Sequence, residues 1–511
     1  MLTLFINFIA CATFRQDIDH TNDNDGILGK FDQRYSAFVE RNNFSSIIIY
    51  ICGLYSLDEC ITPHKTNTIR QIANRTDSDI FFLEHRFCGK SLPFQDLSPN
   101  SLKYLTIDQI VDDVGAFTNY LKKYKCHDQN CRILLAGDGY GGSIAVWTKR
   151  QYPELIDSVW AISAPLLASN NHFSEETFHT SILNEYFPDC LGTVSINMRT
   201  VGDQFFSNNE TFINETYQYF NITSEMFPIN GNVLYAISNL IYDLIDLWMS
   251  TDIDPLRNFC SNLNKNNFFS NARSALYNLS KNLVDYNPTW PTNPVDETKR
   301  YKHLKSFLDC NELGWIPVST PLDSIKRILP FKIQTNYVSD NICVPLFNKT
   351  LQDKSYFNLK HGGSKSGVQS VIYTNAIRGR NQQLLYDTTS DIDNDRKEIM
   401  LLNYSDWDIS ANEPQGVDDS PELINARNTV LTTLIEWLSI DKKCKRGRVY
   451  LHNCVCNDRY AGKYCDSLAR SKEYESLSTV SVIVPTFMML SIGLIAWFVF
   501  VVSSKTTKLI C

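Results

Sequence analysis

The stretch Arg132–Trp147, RILLAGDGYGGSIAVW, decides the fold of this 511-residue chain. An apolar, strand-like run leads into a glycine-rich turn, and the turn leads directly into a helical segment. A tight turn between a strand and a helix can hold a nucleophilic side chain clear of a sheet, with the nucleophile at its tip. The tip here is Gly139, which has no side chain. The sequence therefore predicts the frame of a nucleophile site without the nucleophile.

Strand-like segments alternate with helical ones on both sides of this frame. The clearest strands are SSIIIYICGL (45–54), DIFFLEHRF (79–87), SVIYTNA (370–376) and EIMLLNYS (398–405). A helix is predicted from Ile107, with Thr106 and Gln109 forming a capping box. Buried strands that alternate with helices predict an α/β fold around a mostly parallel sheet.

The alternation stops between about residues 168 and 335. This part is rich in Asn and aromatic residues, and its apolar residues follow a helical period. We therefore expect a core formed by residues 13–167 and 336–441, interrupted by an inserted helical domain at 168–335.

Both ends of the chain are apolar. Residues 1–12 have the length of a signal peptide and end in Ala10-Cys11-Ala12; a short apolar strand is the alternative. Residues 479–502 carry no charge and are long enough to cross a bilayer, which predicts one C-terminal transmembrane helix and a cytosolic tail at 503–511. We expect a single-pass type I membrane protein of the cell surface or endolysosomal system, with its ectodomain extracellular or lumenal.

Charge, cysteines and sequons agree with that compartment. The net charge of −8 comes without long basic runs, which argues against a nucleic-acid partner. The fifteen cysteines favour disulfides in an oxidising compartment. N-x-[ST] sequons, which an Asn-rich chain also forms by chance, occur at Asn43, Asn74, Asn209, Asn214, Asn221, Asn278, Asn348 and Asn403.

Several motifs together resemble one family of serine peptidases, that of lysosomal Pro-X carboxypeptidase and dipeptidyl peptidase II. Its elbow reads G-x-S-Y-G-G, which Gly137–Gly142 match except at the serine. The other similar segments are TFRQDIDH (13–20), FDQRY (31–35), LEHRFCGKSLPF (83–94) and DCNELGWIP (309–317). The resemblance covers about residues 13–440. It implies an α/β-hydrolase fold whose inserted helical domain roofs the active site.

The resemblance also implies three catalytic positions, and none of them carries the catalytic side chain. The elbow serine corresponds to Gly139. The acid of the family motif N-G-x-x-D-P-W corresponds to Gly379, and the base of its H-C-x-D-L motif corresponds to Ser405. No histidine occurs between His361 and His452 to replace that base. The family triad is therefore predicted to be lost.

Residues near the elbow allow alternative interpretations. Asp138 is a weak candidate nucleophile because it lies one position before the tip, and Ser143 is more simply a buried or capping hydroxyl. The glycines also fit the dinucleotide pattern G-x-G-x-x-G, but the next strand ends without the acidic residue that would bind ribose. Glu84 and His85 could form an acid–base pair, although a structural role is favoured because neighbouring strand residues point to opposite faces.

Four cysteines crowd into residues 442–470, which resemble the second half of an EGF-like module. The resemblance implies the pairs Cys444–Cys454 and Cys456–Cys465. Four cysteines could also bind zinc, but an oxidising compartment favours disulfides.

These observations predict a catalytically inactive, membrane-anchored glycoprotein with a binding or interaction ectodomain. Its expected partners are a peptide or protein ligand, with proline-containing peptides as candidates, and, by analogy, a homo- or heterodimer partner. We expect no cofactor and no metal ion. The alternative is an active serine-type exopeptidase with substituted catalytic residues.

Overall fold

The computed structural model falls into two units, residues 1–439 and 440–511. It describes residues 9–21, 28–38, 46–62, 67–126, 131–220, 230–251, 255–263, 297–320, 326–386, 399–404, 406, 410–413, 416, 419–444, 447–450, 453–457 and 460–468.

An eight-stranded sheet forms the centre of the first unit. Its strands are β1 (Ile9–Asp17), β2 (Lys30–Phe38), β3 (Ser46–Ile51), β4 (Asp79–Leu83), β5 (Arg132–Asp138), β6 (Ser158–Ile162), β7 (Val371–Ala376) and β8 (Ile399–Tyr404). They follow the order β1-β2-β4-β3-β5-β6-β7-β8. The pairs β1–β2 and β2–β4 are antiparallel, and the remaining pairs are parallel. This mostly parallel order is that of an α/β-hydrolase, so the predicted α/β-hydrolase core is confirmed.

Helices cover both faces of the sheet. Along β3, Ile47 and Ile49 pack into the core on one side, whereas Ile48 and Tyr50 pack into a second core on the other. This two-sided burial explains why the strand sequence is apolar throughout rather than alternating. The described helices before β6 are α1 (Leu57–Cys60), α2 (Asn67–Thr76), α3 (Pro99–Leu102), α4 (Ile107–Tyr124) and α5 (Tyr140–Gln151).

Helix α4 begins as predicted, but its capping box is incomplete. The Thr106 hydroxyl accepts a hydrogen bond from the Gln109 backbone N–H at 3.3 Å. The Gln109 side chain does not return to the cap; its amide donates to Asp19 at 2.7 Å, and its oxygen accepts from the His20 N–H at 3.0 Å. Glu312, more than 200 residues away, instead accepts from the Ile107 N–H at 2.7 Å. The reciprocal half of the predicted box was therefore wrong, because tertiary partners compete for the glutamine.

The described chain between β6 and β7 is predominantly helical. Its helices are α6 (Ser174–Tyr186), α7 (Pro188–Phe206), α8 (Glu210–Phe220), α9 (Asn230–Thr251), α10 (Pro255–Asn262), α11 (Glu297–Leu308), α12 (Thr335–Val338), α13 (Val344–Phe347) and α14 (Ser355–His361). The helices thus continue past residue 335, the predicted end of the insertion. Helix α15 (Pro421–Lys443) follows β8, and the Ser420 hydroxyl caps it by accepting from the Leu423 N–H at 3.1 Å.

The two predicted membrane-related segments fall largely outside the described residues. Residues 1–8, the span 479–502 and the tail 503–511 are not described, whereas residues 9–12 of the predicted signal peptide pair with β2 as part of β1. Within the described ranges, no helix combines the length and apolarity that crossing a membrane requires.

The second unit contains two short hairpins and two disulfides. Its strands are β9 (Gly447–Tyr450), β10 (Asn453–Cys456), β11 (Tyr460–Ala461) and β12 (Ser467–Leu468). Cys444 pairs with Cys454, and Cys456 with Cys465, the pairs that the resemblance implied. Sulfurs that are paired in disulfides are not the thiolates that zinc requires.

Disulfides also pair most of the cysteines of the first unit. Eight of the nine cysteines between residues 52 and 343 form Cys52–Cys60, Cys126–Cys131, Cys190–Cys260 and Cys310–Cys343. Cys88 is the ninth; it is buried and keeps its thiol, with its sulfur 3.9 Å from His85 Nδ1.

Candidate functional site

Gly139 occupies the tip of a sharp turn between β5 and α5. Its φ of 51° and ψ of −120° lie where residues with a side chain are strained. A Cβ added at Gly139 would nevertheless have no atom within 4 Å, whereas a Cβ at Gly141 would lie 2.4 Å from the Ile51 carbonyl oxygen. The turn therefore keeps the tight packing of a nucleophile elbow and leaves the nucleophile's own position open.

A cavity of about 600 Å³ lies above this tip. The ends of strands and their loops form its floor, including Gly53, Tyr55, Asp138, Gly139, Tyr140 and Ser163. The helices between β6 and β7, which we call the roof, line it with Glu175, Tyr242, Asp246, Tyr301 and Lys305. Cavities of this size hold small ligands or short peptide segments.

Two of the predicted triad positions, Gly139 and Gly379, lie at the same edge of the sheet. Gly139 follows β5, and the buried Gly379 lies on the turn after β7. Ser405 comes directly after β8 but lies outside the described residues, as does Asp408 of the same motif. Because the carboxyl ends of parallel strands share an edge, the strand order agrees with the motif alignment. Gly379 supplies no carboxylate on its turn.

The backbone positions that form the oxyanion hole in α/β-hydrolases have counterparts in this chain. In α/β-hydrolases, the N–H after the nucleophile and an N–H from the loop after β3 bind the oxyanion. The corresponding residues are Tyr140, the first residue of α5, and the loop from Cys52 to Leu54; all line the cavity. The backbone positions that bind the oxyanion in that fold therefore line the cavity beside Gly139.

Asp138 is held as an acceptor rather than presented as a nucleophile. One carboxylate oxygen accepts from the Tyr50 hydroxyl at 2.6 Å and the other from the Ser410 hydroxyl at 2.5 Å. Burial raises the pKa of Tyr50 well above its usual value, and the Asp138 charge adds to this, so Tyr50 remains a donor. These contacts give Asp138 a structural role in the floor of the cavity.

Ser143 is a buried helical hydroxyl. It donates to the Pro165 carbonyl at 2.6 Å and lies 3.2 Å from the Gly139 carbonyl. The hydroxyl therefore links the start of α5 to the chain after β6, as the simpler interpretation predicted.

Glu84 and His85 do not form an acid–base pair. The buried Glu84 carboxylate accepts from the Leu57 N–H at 2.7 Å and the Ser91 hydroxyl at 2.6 Å. His85 faces the Arg86 carbonyl through Nδ1 at 2.6 Å, so that nitrogen carries the proton, and burial lowers its pKa to about 4. Both residues lie just beyond β4 and both are buried, so the argument from opposite strand faces did not apply to them.

Arg86 is the structural anchor of the LEHRFCGKSLPF segment, to which Glu84 and His85 also belong. Its guanidinium makes a bidentate pair with Asp113, with both distances 2.6 Å, and both side chains are buried. The neighbouring carbonyls of Ile18 and Tyr104 accept from the same group at 3.2 and 2.8 Å. The signature therefore ties the N-terminal strands to α4.

The histidines in the described ranges do not supply a base for an elbow hydroxyl. They are His20, His85, His172, His179, His303 and His361. His172 lies in the cavity wall, and its nitrogens face the Trp315 and Arg380 carbonyls at 3.2 and 3.3 Å. Between described residues, no ring-nitrogen hydrogen bond reaches a serine or threonine hydroxyl. The described site thus contains neither an elbow hydroxyl nor a base aimed at one.

The sequence did not reveal an ionic network in the cavity wall. Arg380 pairs with Asp246, which also contacts His179 at 3.1 Å. These residues are 67 to 134 positions apart, so no local pattern could have indicated them.

The described sequon asparagines are all exposed. They are Asn74, Asn209, Asn214, Asn348 and Asn403; Asn43, Asn221 and Asn278 lie outside the described residues. Exposure is what glycosylation of these sites requires, and their modification stays a prediction.

Known proteins resemble this chain in the same region. Residues 16–201 match the family described as Serine carboxypeptidase S28. The Arabidopsis thaliana protein named "Probable serine protease EDA2" is 24% identical over 395 residues, which is 71% of this chain and 73% of that protein. The Homo sapiens lysosomal Pro-X carboxypeptidase is 30% identical over 158 residues, but the match covers only 30% of this chain and 31% of that protein.

A solved structure shows a weaker likeness. An α/β hydrolase enzyme from the metagenome of Lake Arreo matches at a TM-score of 0.23 and 14% identity, covering 34% of this chain and 48% of that chain. This likeness adds nothing to the fold assignment, which rests on the strand order. Residues 16–201, which contain both the elbow and the LEHRFCGKSLPF signature, are therefore similar to the serine carboxypeptidase S28 family.

Proposed function

We propose that this protein is a catalytically inactive serine-peptidase relative that binds peptides or protein segments in the cavity above Gly139 without cleaving them. Proline-containing peptides are the first class to test, because a lysosomal Pro-X carboxypeptidase is among the relatives. The proposal includes a membrane-anchored ectodomain with an EGF-like spacer, able to form homo- or heterodimers.

The open Cβ position at Gly139 is the observation that carries the proposal. Acyl transfer needs an attacking atom next to the oxyanion donors, with a base that takes its proton. The tip has space for a side chain and lacks one, and the turn after β7 has glycine at the acid position.

The expected loss of rate is large. Removing the serine or histidine of a triad lowers kcat by roughly 10⁶, and removing all three members costs little more because they act as a unit. Binding and the oxyanion hole together leave roughly 10³–10⁴ over the uncatalysed rate. This remaining rate enhancement is too small for useful peptide turnover, whereas the cavity and its backbone donors still allow binding.

The test treats full-length protein in detergent with a fluorophosphonate probe, beside human lysosomal Pro-X carboxypeptidase as the active control. We expect no labelling and no turnover of peptides with a penultimate proline above buffer. We also expect a fluorescent, uncleaved proline-containing peptide to bind saturably, as measured by anisotropy.

The alternative, an active exopeptidase with substituted residues, makes the opposite prediction. It requires turnover that disappears on Asp138→Asn or Ser143→Ala. That result would overturn the proposal, because it would give a catalytic role to side chains that here make only structural contacts.

A further inference from the structure

The turn after β7, residues 377–386, contacts the roof where the resemblance places the catalytic acid. Gly379 has no side chain, and the next residue, Arg380, reaches helix α9. Its two terminal nitrogens donate to the two carboxylate oxygens of Asp246 at 3.1 and 3.2 Å. A planar guanidinium facing a carboxylate in this way forms a strong and directional pair.

Helix α6 meets the same guanidinium. The Arg380 group lies 3.8 Å from the Glu175 carboxylate and 5.4 Å from the centre of the Phe178 ring. His179, also on α6, contacts the Asp246 carboxylate at 3.1 Å. Two roof helices therefore converge on one side chain that comes from the sheet edge.

The backbone of the turn holds the first residues of α6 as well. The Arg380 carbonyl accepts from the Ser174 hydroxyl at 2.8 Å. The Gln383 side-chain oxygen accepts from the Ser174 N–H at 2.8 Å, and its amide donates to the Asn171 carbonyl at 2.6 Å. Arg378 pairs with Glu185 near the other end of α6. The turn thus contacts α6 at both ends.

The Arg380–Asp246 pair is positioned to affect a ligand. Both side chains line the cavity and are about one-third exposed, at 33% and 30%. Tyr242 and Asp243, which lie on the same helix as Asp246, also face the cavity. A shift of α9 would therefore change the cavity wall directly.

We propose that Arg380 is a positioning residue that fastens α6 and α9 over the cavity and thereby sets the shape that a ligand meets. The turn that would carry the acid in an active relative serves here as an anchor for the roof. The effect on ligand affinity rests on the proposed binding function, whereas the fastening of the helices does not.

The experiment compares wild type with Arg380→Met by hydrogen exchange of the full-length protein without ligand. We expect amides of α6 and α9 to exchange about tenfold faster, since a charge-assisted bidentate pair is lost. Amides of β3 and β5 should be unchanged. Arg15→Met is the matched control, because it removes an exposed Arg–Asp pair remote from the cavity, and it should leave α6 and α9 unaffected.

Two further variants keep the inference testable. Asp246→Asn should accelerate the same helices, and combining it with Arg380→Met should add little, because both changes remove one interaction. Arg380→Lys keeps the charge but loses the bidentate geometry, so it should accelerate exchange less than Arg380→Met does. It replaces the methionine variant if that variant does not fold.

Exchange in α6 and α9 that stays at the wild-type rate in all three variants would overturn the inference. If Arg380→Met instead weakens only peptides with a free C-terminal carboxylate and leaves exchange unchanged, Arg380 contacts the ligand and does not fasten the roof. Failure of the wild type to bind the proline-containing peptide, with faster exchange in the variants, would remove the proposed function and leave the fastening intact.

Discussion

Ser410 and Asp138 are joined by a 2.5 Å hydrogen bond between the serine hydroxyl and the carboxylate. The bond connects the chain beyond β8, where the family places its base, to the elbow beyond β5. Tyr50 donates to the other carboxylate oxygen from within β3. Asp138 therefore organises the floor of the cavity, next to Gly139 at the tip of the turn.

Replacing Asp138 with Ala tests this structural role. The change leaves the buried Tyr50 hydroxyl without this acceptor, so we expect the free energy of unfolding to fall by roughly 1–3 kcal/mol. Urea denaturation measures the change. Asp32→Ala, at an exposed pair with Arg15, should cost less than about 1 kcal/mol. Equal stability of the two variants would contradict the role.

The Gly139→Ser variant tests whether a serine fits at the tip of the turn and whether its hydroxyl is reactive there. The Cβ has room, so the protein should fold, with a loss of roughly 1–3 kcal/mol because the backbone conformation is strained for serine. Without base or acid the new hydroxyl should stay unlabelled by fluorophosphonate. Gly141→Ser should be markedly more destabilising, because its Cβ would meet the Ile51 carbonyl at 2.4 Å. Labelling of the Gly139→Ser protein would show that a base is present after all.

Glu312 predicts a pH-dependent contribution to stability. Burial raises the pKa of this carboxyl from 4.5 to about 7. Because the folded state holds the proton more tightly than the unfolded state, this contribution decreases as pH rises from about 4.5 to 7. The pKa difference corresponds to roughly 3 kcal/mol of stability.

Glu312→Gln should remove that decrease while still accepting from the Ile107 N–H. The measurement is the difference in unfolding free energy between variant and wild type at pH 5 and pH 7.5, which should favour the variant at the higher pH. The exposed Glu422→Gln should show no such trend. A difference that does not change with pH would rule out the burial effect.

The sequon at Asn403 predicts a glycan near the end of β8, next to the position where the resemblance places the catalytic base. It is exposed on the edge strand β8, two residues before Ser405, which completes its sequon. Peptide mapping after enzymatic deglycosylation should find it modified in protein from the secretory pathway. Ser405→Ala should abolish the modification, and exposed Asn209 should remain modified in the same sample. Unmodified Asn403 beside modified Asn209 would reject the prediction.

Much of the fold could be predicted because its signals are local. The apolar runs that became β3 and β5 are buried on both faces, and the glycines of the elbow are dictated by close backbone contacts within a few residues and with β3. Gln109 shows where local inference stops. Its sequence position suits a capping box, but Asp19 and His20 compete for its side chain across some 90 residues.

By itself, the sequence determined the α/β order, the elbow frame and the empty positions at Gly139 and Gly379, because residue identity alone decides whether a reactive group can exist there. Only the tertiary structure decided that Cys88 keeps its thiol, that Glu312 caps α4 and that Arg380 meets Asp246. Such contacts join residues separated by 134 and 205 positions. They exist because the folded chain brings together side chains that no short-range pattern relates.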